Sequence, residues 1–142
     1  MTEKVLLIDD EVDFLENLSE RMRVRGMDVS TAQTTDNAID AVESAEYDAI
    51  VLDLQMPGMN GIDMLKVIKE RHPEMQVILL TGQATLEAGI EAMKLGAMDF
   101  MEKPADINSL TEKIKKAQAK KMLIVEKKAE GKVKDILASK GW

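Results

Sequence analysis

The feature that most constrains this chain is a regular alternation. A short apolar run is followed by a stretch with helical spacing, five times in succession. The runs are Val5-Leu6-Leu7-Ile8, a weaker Met27-Asp28-Val29-Ser30-Thr31, Ala49-Ile50-Val51-Leu52, Gln76-Val77-Ile78-Leu79-Leu80 and the short Met98-Asp99-Phe100-Met101. In the first, third and fourth, apolar side chains stand at successive positions, the pattern of strands covered on both faces. Between the runs, Val12, Leu15, Leu18 and Met22 recur at helical spacing and Gly26 closes the pattern; Ala38, Val42 and Ala45 mark a second helix. Leu65 and Ile68 mark a third, with Asn60 as its cap and Pro73 beyond its end. Ala84, Ala88, Ala92 and Leu95 mark a fourth, ended by Gly96. Ile107, Leu110, Ile114 and Ala117 mark a fifth, with Asp106 placed to cap it.

Strand–helix units repeated in this way imply right-handed βαβ crossovers and a doubly wound parallel α/β sheet. Five strands suit the flavodoxin-like order 2-1-3-4-5. A chain of 142 residues fits one such domain, and no Gly/Ser/Pro linker or internal repeat divides it. Residues 1–120 are the expected domain. Residues 121–142 are rich in lysine and helix formers but interrupted by Gly131. So short a segment cannot build its own core, and it reads as a helical tail, either an extension of the fifth helix or a separate short one. No output domain is expected in it.

Composition removes several chemistries. Cysteine is absent and His72 is the single histidine, which excludes disulfides, thiol catalysis and zinc sites built on those ligands. No apolar run approaches the roughly 20 residues of a membrane span. The N-terminal MTEKVLLIDDE turns acidic too early for a secretory signal, and a cytoplasmic location is the expectation. Residues 1–102 carry 21 acidic and 8 basic side chains, whereas residues 103–142 carry 5 and 11. An acidic body argues against a nucleic-acid face there; the lysines of the tail, interleaved with acids, read as a solvated helix face.

In open α/β sheets, ligands bind at the carboxyl ends of the strands where the strand order reverses. Asp9, Asp10 and Glu11 follow the first strand, Asp53 ends the third, Thr81 follows the fourth and Lys103 the fifth. Taken singly, each has a plainer structural reading. The first three could cap a helix and complement its dipole, Asp53 and Thr81 could belong to turns, and Lys103 to the surface. Their occurrence at one end of one sheet is what gives the set meaning. Three carboxylates in one crevice favour a hard cation with all-oxygen ligation, Mg²⁺ or Mn²⁺. A lysine and a threonine hydroxyl beside them suit phosphoryl transfer onto a carboxylate, with Asp53 best placed as nucleophile.

At these residues the chain resembles the receiver domain of bacterial two-component response regulators. The matching segments are KVLLIDDE at 4–11, DAIVLDLQMPGMNGIDML at 48–65, VILLTGQ at 77–83 and GAMDFMEKP at 96–104. The resemblance implies that Asp53 is the phosphoacceptor. It implies that Asp10 ligates Mg²⁺ directly, that Asp9 supports the metal through water, and that the Gln55 backbone carbonyl completes the protein ligands. Thr81 and Lys103 would contact the phosphoryl group, and the bond preceding Pro104 would be cis. Thr81 and Phe100 occupy the family's switch positions; Phe100 lacks the hydroxyl of the commoner tyrosine. Gln55 and Gln83 lie near the expected mouth, where side chains could tune dephosphorylation.

The implied partners are a sensor histidine kinase or phosphotransfer protein and a downstream protein. The latter would bind the face of the fourth helix, fifth strand and fifth helix. A phosphorylation-dependent homodimer is also within the family's repertoire. A stand-alone receiver is the leading expectation. The alternative is a receiver fragment of a larger σ54-type transcriptional regulator, whose fifth helix runs into a dimerising linker. A metal-dependent phosphohydrolase on a related fold is a third reading; such enzymes usually carry a second acid where this chain has Gln55.

Overall fold

The computed structural model describes residues 2–54, 56, 58, 60–82 and 86–139. In chain order the elements are β1 (Lys4–Ile8), α1 (Val12–Val24), β2 (Asp28–Ala32), α2 (Thr35–Ser44), β3 (Ala49–Asp53), α3 (Gly61–Arg71), β4 (Val77–Thr81), α4 (Leu86–Lys94), β5 (Asp99–Glu102) and α5 (Ile107–Ser139). The five strands form one sheet in the order β2-β1-β3-β4-β5, every pair parallel. This is the flavodoxin-like, doubly wound arrangement that the alternation predicts. Compared with the apolar runs, β2, β4 and β5 are displaced by one residue toward the C-terminus, because backbone pairing rather than hydropathy sets their ends.

Although β1, β3 and β4 read as unbroken apolar runs, their side chains sort by parity, as a pleated strand requires. Leu6, Ile8, Ile50, Leu52, Val77 and Leu79 join one core with Val42, Met64, Leu65 and Ile68 of α2 and α3. Val5, Leu7, Val51, Ile78 and Leu80 join the other with Leu15, Leu18 and Met22 of α1 and Leu110 and Ile114 of α5. Two cores back to back hold the central strands and fix where their carboxyl ends emerge.

The helix ends follow local chemistry. Gly26, at φ +87°, lies in the left-handed region that glycine occupies without a side-chain penalty. The Asn60 side chain accepts from Asp63 N at 2.9 Å, and Asp106 accepts from Asn108 N at 3.1 Å. Thr34, which spacing alone does not single out, caps α2 by accepting from Asn37 N at 3.1 Å.

The tail corrects one expectation. Gly131 does not interrupt the helix; α5 runs unbroken from Ile107 to Ser139. One glycine costs about 1 kcal/mol relative to alanine, and a helix already nucleated propagates through it. Residues 140–142 lie outside the described residues. No helix among the described residues is long and apolar enough to cross a membrane.

Candidate functional site

Because β1, β3, β4 and β5 are consecutive neighbours in a parallel sheet, their carboxyl ends share one edge. Asp53 is the last residue of β3 and Thr81 the last of β4; Asp9 and Asp10 follow β1, and Lys103 follows β5. Asp53 is 4% exposed, Asp9 1% and Thr81 fully buried, whereas Asp10 is half-buried. One carboxylate oxygen from each of Asp9, Asp10 and Asp53 lies within 4.8 Å of the other two. The structure therefore brings together all five of these sequence-identified side-chain positions.

The backbone around them is tightly constrained. Gly61 opens α3 directly against the end of β3, its N–H donating to Leu54 O at 2.6 Å. A Cβ there would stand 2.5 Å from Leu54 Cα and 2.7 Å from Asp53 O, so only glycine permits the approach. Lys103 N donates to Thr81 O at 2.7 Å, tying the residue after β5 to the end of β4. The Lys103–Pro104 peptide bond is cis.

Lys103 carries the electrostatics of the site. Its Nζ lies 2.7 Å from Asp9 Oδ2, 3.0 Å from Glu11 Oε1 and 3.8 Å from Asp53 Oδ2, and 4.3 Å from the centre of the Phe14 ring. Burial by itself would lower the pKa of this ammonium. Hydrogen bonds to Asp9 and Glu11, with the charges of Asp9 and Asp53, outweigh it and hold the pKa above the ordinary lysine value. An ammonium among three carboxylates partly offsets their mutual repulsion. The remaining acid excess, in a pocket whose donors are all oxygen, matches a hard divalent cation such as Mg²⁺.

The plainer reading of Asp9 to Glu11 as helix caps holds only in part. Asp9 Oδ1 accepts from Glu11 N at 2.9 Å. The Glu11 side chain makes no capping hydrogen bond to α1 and instead reaches Lys103. Phe14 was not singled out by sequence reasoning; the available signal is that it stands three residues after Glu11, on the same side of α1. Gln55, whose carbonyl is an implied metal ligand, and Gln83 lie outside the described residues.

Phe100 is half-buried at the rim of a groove of about 630 Å³ between α4 and β5, shared with Leu86, Gly89, Ile90 and Met93. Its Cδ1 lies 3.6 Å from where a Cβ on Gly89 would stand, so the missing side chain leaves space beside the ring. Leu86 is 81% exposed, Ile90 46% and Met93 50%, an apolar surface adjoining the strand that ends at the site.

Comparison with known proteins agrees with this geometry. Residues 5–115 match the family model described as the response regulator receiver domain. The photosynthetic apparatus regulatory protein RegA of Cereibacter sphaeroides is 35% identical over 75% of this chain. The response regulator protein PilR of Pseudomonas aeruginosa is 32% identical over 78% of it. The chain spans 58% of the length of RegA and 25% of that of PilR. Among solved structures, a response regulator receiver domain protein from Clostridium thermocellum superposes with a TM-score of 0.82 at 34% identity, covering 86% of this chain and 98% of that one. The beryllofluoride-activated NtrC4 receiver domain dimer gives 0.78 at 32% identity, covering 83% and 98%. Sheet order, site geometry and sequence agree, and the chain belongs to the response regulator receiver domain family.

Proposed function

We propose that this receiver takes a phosphoryl group from the phosphohistidine of a sensor kinase or phosphotransfer protein onto Asp53. The observation that carries the reading is the gathering of the Asp9, Asp10 and Asp53 carboxylates within 4.8 Å beneath the Lys103 ammonium. An Asp53 carboxylate oxygen attacks phosphorus as the phosphorus–nitrogen bond breaks and its electron pair returns to the imidazole. Lys103 and Thr81 contact the phosphoryl oxygens and stabilise the charge developing on them. Asp10, Asp53 and the Gln55 carbonyl would hold Mg²⁺, or Mn²⁺ in its place, with Asp9 acting through water. When bound, the cation neutralises phosphoryl charge and orients the group. The Asp9 oxygens already accept from Glu11 N and Lys103 Nζ, which favours that indirect role.

Adding a phosphoryl group changes the charge at the end of β3, and a modification shifts a conformational equilibrium only by interacting differently with its two states. Thr81 and Phe100 are the switch pair. Movement of Thr81 toward the phosphoryl group lets the Phe100 ring turn inward, remodelling the apolar face of α4, β5 and the start of α5. A downstream protein, or a second copy in a phosphorylation-dependent homodimer, would read that face. The chemistry supports the chain's own phosphorylation and dephosphorylation only. Residues 1–120 act as the receiver, and residues 121–142 are its lysine-rich tail, helical through Ser139. A second reading, as the receiver portion of a longer σ54-type regulator, is favoured by two observations. The relatives are longer than this chain, and α5 continues well past its last buried residue, Ala117.

The test is intact-protein mass spectrometry after incubation with Mg²⁺ and acetyl phosphate. Wild type gains one phosphoryl group, whereas Asp53→Asn gains none. Equal labelling of the two proteins would remove Asp53 from its assigned role.

A further inference from the structure

Glu11 is not used in the phosphorylation chemistry above, yet its position is specific. Three contacts close a ring. Glu11 N donates to Asp9 Oδ1 at 2.9 Å, Asp9 Oδ2 accepts from Lys103 Nζ at 2.7 Å, and Lys103 Nζ donates to Glu11 Oε1 at 3.0 Å. The Lys103 side chain is 11% exposed and that of Glu11 64%, so Glu11 closes the ring from the solvent side. The Phe14 ring covers another approach to the ammonium at 4.3 Å. Held in this ring, the ammonium stands 3.8 Å from Asp53, farther than a charge-assisted hydrogen bond allows.

We propose that Glu11 is a positioning residue that holds the Lys103 ammonium on the Asp9 side of the site, away from Asp53, so that an incoming phosphoryl group must win the lysine from it. The inference rests on the phosphoacceptor reading and adds a built-in competitor to it. An ammonium has three N–H donors; Asp9 and Glu11 occupy two, and a phosphoryl oxygen on Asp53 would draw the group inward. The Asp9 contact lies at the buried floor of the site, whereas the Glu11 contact is the outermost and the one most readily exchanged with water. Its loss leaves no buried carboxylate unpaired, since Glu11 itself stands in solvent. Glu11 thus sets how readily Lys103 is released, and through it the affinity for the phosphoryl group.

The experiment titrates beryllofluoride into the full chain in Mg²⁺, with four proteins compared: wild type, Glu11→Gln, Glu11→Asp and Asp13→Asn. Removing the competitor in Glu11→Gln tightens binding roughly two- to fivefold, the range of an exposed ion pair. Glu11→Asp keeps the charge but shortens the side chain by one methylene, and it tightens binding similarly because it no longer reaches the ammonium. Asp13→Asn removes a like charge from the first turn of α1 and leaves affinity unchanged. In the free proteins, the Lys103 Cε resonance of both Glu11 variants moves toward its beryllofluoride-bound position. If Glu11→Asp binds as wild type does, or Asp13→Asn matches Glu11→Gln, net charge alone is responsible and the positioning role is overturned. Unchanged affinity in both Glu11 variants overturns it as well. A wild-type protein that binds no beryllofluoride removes the phosphoacceptor reading, and this inference with it.

Discussion

The two halves of α5 are one continuous helix in opposite surroundings. Over residues 107–117 the stripe Ile107, Leu110, Ile114 and Ala117 is buried against the sheet, none of the four more than 6% exposed. The same three- and four-residue spacing continues as Lys121, Ile124 and Lys128. Here the stripe turns polar: Lys121 Nζ donates to Tyr47 O at 2.7 Å, and Lys128 lies 3.6 Å from Glu74. Between and beyond them Met122, Leu123, Val125, Val133, Ile136 and Leu137 are each 41–55% exposed. Helix formation is a local matter of propensity and propagation, which continues past the body. Burial depends on what lies opposite, and in this stripe the first lysine, Lys121, follows directly on the last buried position, Ala117.

The largest expected effect contrasts the halves directly. Leu110 is fully buried, so Leu110→Ala costs about 2–5 kcal/mol by lost transfer energy and the cavity left behind. Ile136→Ala, half exposed, stays within about 0.5 kcal/mol. Urea denaturation of both variants measures this, and comparable losses would mean that the tail shares the core's cooperativity.

A smaller effect concerns Gly131, whose missing side chain faces open space. Gly131→Ala stabilises the tail helix by up to about 1 kcal/mol. Hydrogen exchange slows on both sides of residue 131 while the global unfolding midpoint is unchanged. A rise in that midpoint would show the tail to be part of the folding unit.

The smallest effect is the tail's ionic tether. The Glu74 carboxyl is held below its ordinary value of 4.5, first by its own backbone N–H and then, against some desolvation, by Lys128 and other nearby positive charge. A depressed carboxylate pKa stabilises the fold above pH 4.5, and that contribution is lost as pH falls through the folded value. Exposure limits the pair with Lys128 to about 1 kcal/mol or less. Carboxyl ¹³C titration should place Glu74 below 4.5. In Lys128→Ala the midpoint should move only part of the way back, because the backbone bond remains. A wild-type midpoint at or above 4.5 would dissolve the tether.

Most of the fold is legible in the sequence because its signals are local. Strands covered on both faces must be apolar at every position, helices repeat at three and four residues, and glycine and asparagine mark the boundaries. Asp9, Asp10, Asp53, Thr81 and Lys103 can be placed at one edge because parallel strands end on the same side. β2, β4 and β5 are each displaced by one residue from their apolar runs, since strand ends depend on pairing with neighbours far away in the chain. Gly131 reads as a break in the helical pattern, yet the cost of an isolated glycine is too small to end a helix that is already propagating.

The sequence by itself therefore determined the element order, the parallel sheet and the identity of the residues at its carboxyl edge. Only the tertiary structure decided how those side chains partner. Lys103 is 92 residues from Glu11 in the chain, and no local pattern relates them. Side-chain direction is set when β5 joins the sheet and α1 packs onto it, and only then does an acid that could have capped a helix become a competitor for the lysine. The same packing decides that one stripe of α5 is core up to Ala117 and surface beyond it, because burial belongs to the pair of elements in contact and helix formation to the chain alone.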